Sequence, residues 1–258
     1  MPTILDKIVA DKKEALERST KLMPLSSLLE LIAQRSKPLD FAGALRGKDI
    51  KLIAEVKKVS PSAGLLRADF DPAILARTFA QNGASAISVL TEEKHFQGSL
   101  EHLSAVREAV GVPLLRKDFV FDDYQLFETA AYGADAVLLI VSILKKDRLK
   151  YLLALARSLG LASLVEAHNE KELMTGLQAG AGIIGINNRN LKTLKVNTDI
   201  TRCLRSLVPE GVIVVSESGI RTPADMKKIR ECKVDAVLVG EAFATAADIP
   251  AAMKGLMS

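Results

Sequence analysis

Glu55 and Lys57 stand two residues apart at the end of the apolar run "KLIAEVK". Along a strand, residues i and i+2 point to the same side, so this carboxylate and this ammonium face one way while Ala54 and Val56 face the other. A buried charge without a partner costs several kcal/mol, so opposite charges at the inner end of an apolar strand imply both a partner and a use. The pattern recurs. Other apolar runs end in Arg116-Lys117-Asp118, Glu166-Ala167-His168, Asn187-Asn188-Arg189, Ser216-Glu217-Ser218-Gly219 and Gly240-Glu241. Lys57, Lys117, Glu55, Glu166 and Glu217 together are the groups that proton transfer needs, since an ammonium donates and a carboxylate accepts. Arg116 and Asp118, as charges at a strand end, read as structural rather than chemical.

These residues need elements that bring strand ends together. Four stretches resemble one another: "NGASAISVL", "YGADAVLLI", "AGAGIIGIN" and "KVDAVLVG". Three carry a glycine where a helix should stop, Gly83, Gly133 and Gly180, and then continue as an apolar run of strand length. Four further apolar runs, "KLIAEVK", "VPLLRKD", "LASLVEA" and "GVIVVSES", lie between them. The alternation with helical patterns predicts an all-parallel α/β fold. Asp71-Pro72 and Thr222-Pro223 mark helix starts, and Thr222/Asp225 and Asn169/Glu172 have capping-box spacing. An open doubly wound sheet and a closed barrel both fit, but about eight units in roughly 210 residues favour a (β/α)8 TIM barrel.

Residues 1–48 lie outside the repeat. Ile4, Leu5, Ile8, Val9, Lys12, Ala15 and Leu16 follow one helical stripe, and Leu25, Leu28, Leu29 and Ile32 a second. The expectation is one barrel domain over residues 1–258, with residues 1–48 as an N-terminal helical extension packed on it. The stretch "GAGIIG" matches G-x-G-x-x-G, but a helix precedes it and a strand follows, the reverse of a dinucleotide fingerprint. It is expected to make a helix-to-strand turn at the non-catalytic end.

In a barrel the C-terminal strand ends surround one pocket, and the loops after strands seven and eight often take phosphate. Gly219 in "SESGIRTP" and Gly240 in "VGEAFATA" occupy those loops, and Gly240 opens a short helical run whose amides suit an anion. Ser60 in "VSPSAG" can reach the same group. The plainer alternative is that these glycines only turn the chain. His168 follows Glu166 by two, but no third His or Cys has metal spacing, so no metal is expected. His95 and His102 read as surface residues. Phe96 either packs a loop or walls the pocket.

Composition narrows the class. The chain has 258 residues, 48% hydrophobic and 26% charged, with a formal net charge of +4. Charges of both signs are interleaved, aromatics are 4% and there is no Trp, which argues against nucleic acid and suits a small anionic ligand. Cys203 and Cys232 form no CxxC pair and read as reduced packing residues of a cytoplasmic protein. The N-terminus is broken by charges and has no signal-peptide core, and no apolar run reaches membrane-spanning length.

At this point "IAEVKKVSPSAG", "SVLTEEKHFQGS", "LLRKDF", "LVEAHNEKEL", "GINNRNLKTL", "VSESGI" and "VLVGEA", in this order, resemble the indole-3-glycerol phosphate synthase family from the N-terminal helices to the last strand. The departures are Ala63, where a lysine is common, and Ala167, where a valine is common. Neither removes a charged group. The resemblance implies a (β/α)8 enzyme of tryptophan biosynthesis. Its substrate would be 1-(o-carboxyphenylamino)-1-deoxyribulose 5-phosphate, converted by ring closure, decarboxylation and dehydration. It implies Lys117 as general acid, Glu166 as general base, and Lys57 holding the substrate carboxylate and sharing the acid role. Glu55, Glu217, Asn187 and Ser218 would position lysines and substrate. Arg189 would also orient the substrate, and Phe96 and Leu90 would wall the aromatic ring. Ser60, Gly219, Gly240 and the Glu241 amide would take the phosphate. No cofactor is implied, because the substrate's own nitrogen can serve as electron sink. The expected partner is the small phosphorylated substrate, with neither nucleic acid nor membrane; partner enzymes of the pathway are not legible in the residues. Two rivals stand beside this reading: another phosphate-binding barrel isomerase or Schiff-base lyase, and a phosphate-ligand-binding module without catalysis.

Overall fold

Each of the eight apolar runs forms a strand in the computed structural model, which describes residues 3–191 and 193–258. The strands are β1 (Lys51–Val56), β2 (Ala86–Leu90), β3 (Leu114–Lys117), β4 (Ala136–Ile140), β5 (Ala162–Ala167), β6 (Ile183–Asn187), β7 (Ile213–Glu217) and β8 (Ala236–Val239). All pair in parallel with their sequence neighbours, and β1 closes the barrel on β8 with Lys51 opposite Ala236 and Ala54 opposite Val239. A short antiparallel hairpin, Val59–Ser60 against Gly64–Leu65, follows β1 and was not expected from the residues.

The period of two divides the core into an inner and an outer layer. Ile53, Ala86, Leu115, Ala136, Leu138, Leu164, Ile183, Val215 and Leu238 pack against one another inside the barrel. Their strand neighbours, among them Leu52, Ile87, Leu114, Val137, Val165, Ile184, Val214 and Val237, pack outward against the helices. The inner parity then continues upward. Ile53 is followed by Glu55, Leu115 by Lys117, Leu164 by Glu166, and Val215 by Glu217. Within one step along each of these four strands the lumen changes from aliphatic to charged.

The helices are α1 (Ile4–Leu22), α2 (Leu25–Gln34), α3 (Phe41–Ala44), α4 (Pro72–Gln81), α5 (Leu100–Ala109), α6 (Asp123–Ala131), α7 (Lys146–Ser158), α8 (Glu170–Ala179), α9 (Asp199–Arg205), α10 (Pro223–Glu231), α11 (Glu241–Ala244) and α12 (Ile249–Met257). The caps explain several starts. Asp71 accepts from the Ile74 amide ahead of Pro72, and Thr222 and Asp225 close a reciprocal box, each cap contributing about 1 kcal/mol. Asn169 accepts from the Glu172 amide, but the Glu172 carboxylate does not return to close the box and binds His168 instead. Gly180 ends α8 at φ 96°, so the "GAGIIG" stretch does turn from helix to strand. Its last glycine, Gly185, lies inside β6, beyond that turn.

The N-terminal extension reaches both ends of the barrel. At the C-terminal mouth, Lys12 of α1 donates to Asp118 Oδ2 at 2.7 Å, and Asp11 holds Lys94 at 2.6 Å and His95 at 2.8 Å. The Tyr124 hydroxyl donates to the Ser19 and Met23 carbonyls where α1 gives way to α2. α2 runs along α6 and buries Leu28, and Arg35 donates to the carbonyls of Ala130 and Ala134. At the opposite end Phe41 and Leu45 join the inner cluster, and the Leu39 amide donates to Asp135 just before β4. Leu29, expected to pack, is exposed, because α2 turns only one narrow face to α6. His95 and His102, expected at the surface, are half-buried, one on Asp11 and the other tilted against Phe70. Cys203, expected to pack, is exposed. Among the described residues no helix is long and apolar enough to cross a membrane.

Candidate active site

The charged strand ends surround a cavity that opens to solvent at the C-terminal mouth. At its centre stands Lys117. Its ammonium donates to Glu217 Oε2 at 3.0 Å and to Glu166 Oε2 at 3.1 Å, carried by β3, β7 and β5. The lysine side chain is 14% exposed and each carboxylate 2%, so the three charges are compensated mainly by one another. Lys57 forms a separate pair with Glu55 Oε2 at 2.5 Å. The two lysines therefore do not share one set of carboxylates.

Electrostatics separates the two carboxylates on Lys117. Burial disfavours charge on both. For Glu166 the charges of Lys117 and His168 overcome burial and hold the carboxyl well below its usual range. For Glu217, burial together with repulsion from Glu166 outweighs Lys117 and pushes the carboxyl up. Burial would lower the Lys117 ammonium, but the charges of Glu166, Glu217 and Glu55 raise it, so Lys117 is cationic. Neighbouring carboxyls pushed in opposite directions mark an acid–base site.

Two glycines make room for these groups. A Cβ at Gly185 would fall 2.2 Å from Glu217 Oε1, and one at Gly240 2.4 Å from Glu55 Oε2. Gly240 thus does more than turn the chain, for it accommodates the carboxylate of the Glu55–Lys57 pair. Glu217 Oε1 is buried against Gly185 and accepts no hydrogen bond among the described residues.

After β7 the chain is strained. Ser218 takes φ 66° and Gly219 φ 82°, and positive φ at a serine is the kind of cost that binding sites retain. Asn188 holds this turn from below: its side-chain amide donates to Ser216 Oγ and the Ser218 carbonyl, and its oxygen accepts from Thr201. Sequence reasoning passed over Asn188 because a buried scaffold asparagine has the same type as its neighbour Asn187, which faces the cavity. At the rim, Glu241 receives Arg221 at 2.6 Å and Arg189 at 3.4 Å, so two guanidiniums meet one carboxylate and leave a net positive edge. Ser60, in the hairpin, accepts from the Ala63 amide.

Every site residue expected from the sequence borders this one cavity: Glu55, Lys57, Ser60, Leu90, Phe96, Lys117, Glu166, Asn187, Arg189, Glu217, Ser218, Gly219, Gly240 and Glu241. Phe96 stands at its wall, its ring 6.3 Å from that of Phe119. The family resemblance places the N-terminal helices over the pocket mouth, but sequence reasoning did not single out Ile4, Leu5 and Ile8 of α1, or Arg221, all of which also line it. The signal for α1 was a lysine, Lys12, set within an apolar stripe. Arg116 lies outside the lumen in a buried network with Asp118, Glu128 and Thr129. Asp118 belongs to that network and also borders the cavity. Among the described residues no group of three or more His, Cys, Asp or Glu side chains could hold a metal ion.

A closed (β/α)8 barrel whose mouth sets two lysines among three buried carboxylates defines a barrel enzyme of the acid–base kind. A family model described as indole-3-glycerol phosphate synthase matches residues 5–256. The indole-3-glycerol phosphate synthase of Dehalococcoides mccartyi strain CBDB1 is 52% identical over 258 residues, covering 98% of this chain and 100% of that protein. That of Polaromonas sp. strain JS666 is 48% identical over 260 residues, covering 99% and 98%. Among solved structures, a 3-hexulose-6-phosphate synthase from Salmonella typhimurium superposes with TM-score 0.67 over 81% of this chain and 97% of its own, at 14% identity, a likeness of fold alone. The chain belongs to the indole-3-glycerol phosphate synthase family, and is accordingly a carboxy-lyase of tryptophan biosynthesis.

Proposed function

We propose that this barrel converts 1-(o-carboxyphenylamino)-1-deoxyribulose 5-phosphate to indole-3-glycerol phosphate, CO₂ and water, with Lys117 as general acid and Glu166 as general base. The observation that carries the assignment is the single ammonium shared by two buried carboxylates that are pushed in opposite directions. The nitrogen lone pair of the substrate drives the carboxyl-bearing ring carbon onto the ribulose carbonyl. As that C–C bond forms, the carbonyl oxygen takes the Lys117 proton. Loss of CO₂ returns the electron pair to the ring. The new hydroxyl then takes a proton from Lys57, the second ammonium of the site, and leaves as water while Glu166 removes the proton from the adjacent carbon.

The order of events suits the pair. Glu166 is a weak base while Lys117 is charged beside it. Once Lys117 has given up its proton, Glu166 loses a cation at 3.1 Å and becomes a stronger acceptor for the elimination. Lys57, held by Glu55, binds the benzoate carboxylate and supports the acid role. Glu217, Asn187 and Ser218 position the polar groups, Arg189 orients the substrate, and Phe96 and Leu90 flank the ring. The phosphate lies against Ser60, Gly219, Gly240 and the Glu241 amide, where the surplus guanidinium charge favours it. The chain works in the cytoplasm, in keeping with its two unpaired thiols.

The test is turnover of this substrate followed by indole absorbance, with Glu166→Gln beside wild type. Indole formation that Glu166→Gln abolishes supports the reading. A lysine adduct trapped by borohydride with substrate would move the assignment to a Schiff-base lyase, and phosphate binding without turnover to a binding module.

A further inference from the structure

The mechanism leaves unused a half-buried titratable group that touches its proposed base. His168 lies two residues past Glu166, just beyond the end of β5, and is not among the residues that line the cavity. Its Nε2 lies 3.2 Å from Glu166 Oε1, on the side of the carboxylate opposite Lys117, in an ion-pair contact without hydrogen-bond alignment. Its Nδ1 donates to Glu172 Oε2 at 2.9 Å, and the same oxygen accepts from the His168 amide at 2.9 Å. Glu172 is itself fixed, because Asn169 Nδ2 donates to its other oxygen at 2.7 Å and the Glu172 amide donates back to Asn169 Oδ1 at 3.0 Å. This is why the capping box of α8 is left open: the carboxylate that would close it holds the histidine.

We infer that the Glu172–His168 pair is a positioning device that keeps Glu166 ionised and aimed at Lys117 and the substrate, most of all after Lys117 has given up its proton. The inference rests on the general-base role proposed for Glu166. The charged groups facing Glu166 are Lys117 from β3, Glu217 from β7 and His168; those facing His168 are Glu166 and Glu172 of α8. Burial works against the imidazolium, but its contacts with Glu166 and Glu172 prevail and raise it to about 10, so it is cationic at neutral pH. An ammonium that transfers its proton cannot also keep the base ionised through the transfer. A second cation outside the cavity can, because it takes no part in the chemistry.

The test is the pH dependence of kcat for wild type, His168→Gln and Glu172→Gln, with Tm measured alongside. Loss of the His168 cation should raise the Glu166 carboxyl and move the acid limb of kcat upward by about one pH unit. It should also lower plateau kcat roughly tenfold or more through lost orientation, with KM little changed. In Glu172→Gln the imidazolium survives at low pH, so the acid limb should stay and a new loss should appear on the alkaline side. An acid limb at the wild-type position in folded His168→Gln overturns the inference. Should that variant fail to fold, a Glu172→Gln profile that overlays wild type overturns it equally. Glu166→Gln separates the two readings: near-normal kcat there removes the general base itself. Loss of activity there, with an unmoved limb in His168→Gln, removes only the role of the pair.

Discussion

Lys117 and Lys57 have the same side chain and different surroundings, and the difference sets their expected roles. Lys117 bridges two carboxylates from other strands, whereas Lys57 has one partner two residues away. Lys117→Ala should lower kcat about 10²-fold or more, with a smaller change in KM, in steady-state assays. It should also destabilise the protein, since Glu217 is left buried without its cation and Glu166 keeps only His168. Lys57→Ala should raise KM as well as slow turnover; the reverse pattern would exchange the two assignments. Gly185 offers a finer probe. Ala at this position puts a methyl where Glu217 Oε1 now lies, so Gly185→Ala should cost roughly 10²-fold in kcat by displacing that carboxylate. Gly182→Ala meets nothing within 4 Å and serves as the control. If both variants turn over alike, the packing of Glu217 on Gly185 carries no weight in the chemistry.

The strands were legible because their signal is local. Period-two alternation marks the lumen face, and on that face a change from Leu115 to Lys117, or from Leu164 to Glu166, shows where the core ends and the site begins. What stayed hidden depends on distant partners. The hairpin after β1 is too short for any periodicity to show. His168 was set aside once metal spacing failed, and its partner Glu172 was read only as a cap. The part α1 plays in the cavity could not be seen from its stripe, since nothing in the first helix names Asp118 as the partner of Lys12. That contact governs an element: Lys12→Ala should loosen α1 over the mouth, where Ile4, Leu5 and Ile8 face the cavity. KM should rise and stability should fall by about 1–3 kcal/mol, measured by denaturant unfolding. An unchanged KM would mean that α1 keeps its place by apolar contact alone.

At the scale of the whole molecule, stability in acid turns on the same carboxylate. Burial would raise the Asp118 carboxyl, but Lys12 and Arg116 overcome it and hold it far below its ordinary value of 3.8. A lowered folded value means stabilisation that is present above 3.8 and lost as pH falls below it. Asp118→Asn should therefore be less stable at neutral pH and lose less further stability between about pH 4 and pH 2 than wild type does, followed by Tm across that range. Parallel curves would place the acid sensitivity elsewhere.

Barrel closure ties the first strand to the last, and this sets a timetable for synthesis. β1 leaves the ribosome early, yet one of its two neighbours, β8, is among the last segments made. Until then β1 and whichever strand is newest both present unpaired edges, the exposure that invites strand addition by other chains. A nascent chain that pauses late is thus at greater risk than one that pauses before β1. A chain ending after residue 231 should aggregate on expression, although it retains seven of the barrel's eight strands. Co-expression of residues 232–258 should return part of it to the soluble fraction, as read by gel filtration. Solubility of the cut chain alone would show that the open edges are already protected before closure.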